Sequence, residues 1–178
     1  MKITKDWLQK NNACSGGVER FLSQNETDAA KIMLGLIECG RPEDSRWVMQ
    51  KLITTKKQAV LIAVFTAECV LDIFEKKYPD DKRPRNAINA AKAWLKNPCK
   101  KTKNAAAAAY IAIYTAAYAA NAADTAVAYA AYAAYTAAAA ATAVFTPVYA
   151  AYATKAAGTD KKEVQLKIAN YAIKVLKL

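Results

Sequence analysis

Histidine is absent from all 178 residues. That single absence removes Ser-His and Cys-His nucleophile pairs, HExxH zinc sites and the two-His-one-carboxylate iron site. Glycine and proline are scarce, at five each, and 54% of the residues are hydrophobic against 23% charged, which is not the composition of a disordered chain. The four cysteines, Cys14, Cys39, Cys69 and Cys99, form no CxxC pair. Zinc-ribbon and thioredoxin-like readings fall away, leaving four reduced, mostly structural thiols as the expectation. The opening MKITKDWLQKNN lacks the apolar stretch of a secretory signal, so a cytoplasmic location is expected. No enzyme activity, cofactor or metal is expected.

The length suits one domain over residues 1–178, long enough to bury a core without staples. Composition changes abruptly near residue 104. Residues 1–104 hold 20 of the 26 basic and 12 of the 15 acidic residues, whereas 29 of the 53 residues from Ala105 to Ala157 are alanine. The tail, 158–178, is amphipathic again. Every apolar run has a helical period and none alternates as a strand would. An all-α compact bundle of about eight helices is therefore expected, with an Ala/Tyr-rich C-terminal half. Short helices are predicted at Thr4–Gln9 and Ser15–Arg20, then one after Thr27 that stops at Gly40, and one opened by Pro42. A single long helix is predicted from Lys57 to Phe74, another from Pro84 to the Asn97-Pro98 stop, and a final one carrying Val164, Ile168, Tyr171 and Val175. Breaks in the Ala-rich part are placed near Asn121–Asp124, at Phe145-Thr146-Pro147 and at Gly158-Thr159-Asp160.

Thirty residues from Thr125 to Thr154 carry no charge, long enough to cross a bilayer. Yet residues 125–143 contain only Val127 among Leu, Ile, Val and Phe, and alanine contributes little to insertion, so no membrane span is expected. Thr125 and Thr136 share the eleven-residue spacing of ice-binding helices, but no other threonine continues it. Close packing of alanine helices explains the segment better. Tyr110, Tyr114 and Tyr118, then Tyr129, Tyr132 and Tyr135, supply bulk and can leave their hydroxyls at a wet edge.

Lys76 to Lys103 carries ten basic residues and two acids, most of the chain's net +11. Such a field draws phosphate or an acidic protein. Nucleic acid is the weaker of the two partners, since no zinc-finger spacing, RNP-like string or helix-turn-helix is present. Within the run, Asp81-Lys82-Arg83-Pro84-Arg85 is the most informative stretch. Asp80 or Asp81 could pair with Arg83 or Arg85 to lock the start of a helix, or the arginine forks could grip an acidic partner. Glu68 and Asp72, four apart on the predicted Lys57–Phe74 helix, could in principle share a metal with acids elsewhere, although such pairs are mostly solvated charges.

Three stretches carry a resemblance: DKRPRNAINAAKAW at 81–94, NACSGGVERF at 12–21, and Gly40, Arg41 and Pro42 followed by Trp47. With the Ala-Ala-Tyr repeats, they resemble immunity-protein family five of polymorphic toxin systems, over roughly residues 10–155. The resemblance implies a small cytoplasmic helical protein that neutralises a toxin by stoichiometric binding, or a phage-encoded inhibitor of a host defence protein. It supplies no catalytic residue; Asp81, Arg83 and Arg85 are its signature positions. Since this chain is strongly basic, an acidic protein surface fits as partner better than a basic nuclease does.

Overall fold

The computed structural model describes residues 1–109, 125–142 and 161–178, and they form an all-α bundle. Residues 1–3 run beside 27–29, with one isolated antiparallel bridge between Lys2 and Asp28, and Ile3 is buried there. Thr4 caps α1 (Lys5–Lys10) by accepting from the Trp7 amide at 3.1 Å, and α2 (Ser15–Ser23) follows. Asp28 caps α3 (Ala29–Glu38), the helix expected after Thr27, through the Lys31 amide, while the Thr27 carbonyl accepts from Ile3. Gly40, at φ 77°, ends α3 as expected. Its amide reaches Ile37 O and that of Arg41 reaches Leu36 O, the paired bonds of a Schellman stop that needs a left-handed residue. Pro42 then opens α4 (Pro42–Leu52), whose Ser45 hydroxyl donates to Met33 O at 2.8 Å and ties α4 to α3.

The expected Lys57–Phe74 helix is two helices. A capping box between Thr55 and Gln58 starts α5 (Lys56–Glu68), and Val70, at φ −133° and ψ 5°, leaves helical geometry before α6 (Leu71–Lys77). The break contains neither glycine nor proline and keeps Val70, Leu71 and Phe74 buried. It also separates Glu68 from Asp72, so the candidate metal pair does not share a helix.

After α7 (Arg83–Lys96), a turn at 97–99 leads into the helical residues 100–109, here α8. The Ala-rich α9 (Thr125–Thr142) packs against α5, α6 and α7. Residues 136–141 are six consecutive positions and all are buried, so α9 is enclosed around its whole circumference at that level. Only a side chain as small as alanine lets neighbouring backbones close in from every direction. The last helix, α10 (Lys161–Leu176), packs on α3, α4 and α5, with Tyr171 stacked on Phe65 at 4.0 Å between ring centroids.

The three expected breaks in the Ala-rich part, Tyr110, Tyr114 and Tyr118, and the side chains of Tyr132 and Tyr135 lie outside the described residues; Tyr129 is half-buried. All four cysteines are free thiols. Among the described residues no helix is long and apolar enough to cross a membrane.

Candidate functional site

Asp81 precedes α7, and its carboxylate accepts from the Arg83 amide at 3.0 Å, supplying a cap where Lys82 has no capping side chain. The Arg83 guanidinium grips the same carboxylate from the side, Nε to Oδ1 at 2.9 Å and Nη2 to Oδ2 at 2.6 Å. Those hydrogen bonds hold the Asp81 carboxyl below its usual range. Arg85 turns the other way and forks onto Glu75 of α6, with Nε to Oε1 at 2.6 Å, which lowers the Glu75 carboxyl likewise. Of the two uses the sequence left open for these arginines, the geometry displays the intramolecular one. Arg83 fastens the start of α7, and Arg85 ties α7 to α6. Glu68 pairs with Lys92 and Asp72 with Lys76, and among the described residues no group of three or more acids or thiols gathers as a metal site would require.

Uncompensated charge gathers elsewhere. Lys56 and Lys57 open α5, Lys96 ends α7, and Lys100, Lys101 and Lys103 lie in the first turn of α8. Folding brings these segments together: Lys56 Nζ sits 4.8 Å from the Trp94 ring centroid. Burial lowers the Lys56 ammonium's pKa, and the nearby charge of Lys103 lowers it further. Thr102 fixes the turn that carries the trio, donating from its hydroxyl to Asn97 O at 2.7 Å and accepting from the Cys99 amide at 3.1 Å. Hydrogen bonds from Thr102 also draw the Cys99 thiol below its usual pKa.

The start of a helix is its positive end, where acids are favoured and lysines are not. Here the first turns of α5 and α8 carry five lysines and no acid. The sequence has no acid between Asp44 and Glu68, nor between Asp81 and Asp124. Lys57, Lys96, Lys100, Lys101 and Lys103 are exposed, and among the described residues none has a carboxylate within ion-pair distance. The run at 76–103 was legible in the sequence. The share contributed by Lys56 and Lys57 was not, because the contact between α5 and α7 decides it; the signal available was a Lys-Lys pair at the wrong end of a helix.

One family, described as "Imm-5 like putative immunity protein", matches the chain over residues 51–178. The chain belongs to this Imm-5 like family. Of the three stretches that carried the resemblance, the one at 81–94 lies inside the matched residues, while 12–21 and 40–47 precede them. The lysine end of the bundle lies wholly within the Imm-5 like match. No curated protein and no solved structure matches the chain.

Proposed function

We propose that this Imm-5 like protein is a cytoplasmic, stoichiometric inhibitor of a toxin. It binds an acidic protein surface through Lys56, Lys57, Lys96, Lys100, Lys101 and Lys103 and performs no chemistry of its own. The observation that carries the reading is a cost kept without internal compensation: five lysines at two helix starts, with no carboxylate alongside. Other lysines, such as Lys51 and Lys77, also have no acid within ion-pair distance among the described residues, so the place of these five at two helix starts is what sets them apart. Exposed lysines facing an acidic patch raise association rates and set orientation, whereas Arg83 and Arg85 are already committed within the fold.

The test is to read the genes beside this one for a toxic domain and to co-express any such domain with this chain. Growth should be restored and a complex of fixed stoichiometry recovered. Replacing Lys57, Lys96, Lys100 and Lys101 by Glu should abolish both without lowering the melting temperature. Rescue by far less inhibitor than toxin would mean turnover and end the binding-only reading. Unchanged rescue by the four-fold variant would remove the lysine end from it.

A further inference from the structure

A concavity lies at the other end of the sequence from the lysines, in residues 3–48. Between α2 on one side and α3 and α4 on the other is an open cleft of about 410 Å³. Its wall is apolar: Leu8, Ile32, Leu36, Trp47 and Val48 face Phe21 of α2. The opening exists because α2 stands off the bundle. It buries no residue, and its Val18 and Phe21 only half-cover the core. Clefts of this size and lining are typical of sites for small molecules.

The mouth decides what kind of molecule. Arg20, Glu43 and Asp44 reach it. Both carboxylates are engaged: Asp44 Oδ2 accepts from Arg41 Nε at 2.6 Å, and Glu43 pairs with Arg46 at 3.2 Å. Arg20 reaches the same Asp44 oxygen with one nitrogen, at 3.3 Å. An arginine has five N–H groups in a fork, so most of the Arg20 fork is uncommitted. Asn12 and Gln24 also line the mouth, and their side-chain amides have no partner among the described residues. Unspent donors over an apolar pocket call for a ligand with an apolar tail and an anionic head.

We infer that the cleft between α2 and the α3–α4 pair binds a small amphipathic carboxylate, its tail against Leu36, Trp47 and Phe21 and its carboxylate on Arg20. The site is separate from the lysine end and lies ahead of residues 51–178, so either assignment can fail without the other.

The experiment is calorimetric titration of the full chain with decanoate, decan-1-ol and decylamine below their micellar concentrations. Decanoate should bind saturably at one site, with decylamine about tenfold weaker, the scale of a charge-assisted contact. Arg20→Gln should remove that preference and leave decan-1-ol binding unchanged. Gly17→Leu should fill the cleft and abolish binding with the fold intact, because Gly17 is helical and an added Cβ meets only Cys14 Sγ, at 3.4 Å. Amide chemical-shift changes with decanoate should fall on α2, α3 and α4. Absence of saturable decanoate binding overturns the assignment, including the case where only a segment of a partner protein enters the cleft. Equal affinity for decylamine, full binding by Gly17→Leu, or shifts confined to α7 and α8 overturn it equally.

Discussion

Thr66 is fully buried in α5, and its hydroxyl has no hydrogen-bond partner among the described residues. A buried hydroxyl left unpaired costs about 1–3 kcal/mol. Thr66→Val keeps the branched shape and removes the orphan, so it should stabilise the fold by about 1 kcal/mol in denaturant titration. Asp81 is the opposite case, a carboxylate with every reason to be charged. Its folded pKa is lowered from 3.8 and that of Glu75 from 4.5. A depressed folded value means the ionised form stabilises the native state. That contribution is fully present above about pH 4.5 and is lost as the pH falls through the lowered folded values. Asp81→Asn keeps a side chain able to cap but loses the charge that Arg83 holds, so it should cost stability at pH 7 and less at pH 2, read in denaturant titration. Equal losses at both pH values would show that shape rather than charge holds this corner. Asp81 and the Arg83–Arg85 pair were visible in the sequence; which acid each arginine takes was not. Asp81 is two residues from Arg83, but Glu75 is ten from Arg85 on a different helix.

At the scale of elements, caps and stops were the most legible features. Thr4, Gly40, Pro42 and Asn97 sit at or beside the ends they were expected to mark, because turn chemistry is local. The break between α5 and α6 was illegible for the converse reason. Nothing in Glu68-Cys69-Val70 disfavours a helix strongly, and what lies beyond the bend meets residues distant in sequence, as Glu75 meets Arg85. Alanine composition announced that α9 would be helical and tightly packed, though not that it would be enclosed on every side. Enclosure carries a penalty for added bulk. Ala137→Leu, at a position with no exposure, should destabilise by about 1–3 kcal/mol through overpacking, read as a lower denaturant midpoint. The same change at exposed Ala93 in α7 should stay within about 0.5 kcal/mol.

Across the whole molecule, a net charge of +11 is distributed unevenly. Ion pairs absorb much of it along α6 and α7, while the lysine end keeps its share. Relieving like charges at two helix starts should favour the fold, so replacing Lys57, Lys100, Lys101 and Lys103 by Gln should leave the melting temperature equal or higher. Elution from a cation-exchange column should come at lower salt than for four lysines replaced elsewhere. A fall in melting temperature would mean that these side chains support the structure.

What the sequence by itself determined was the class of structure and a list of impossible chemistries. Helical periodicity, alanine content and missing histidine are properties of residues one at a time or within a few turns. The tertiary structure decided which charges remain unspent. An arginine or lysine is neutralised by whichever carboxylate the fold brings within reach, and that carboxylate can lie ten or more residues away, as Glu75 and Glu68 do. Charge in a run is thus a sum over residues, whereas a charged surface is the remainder after packing.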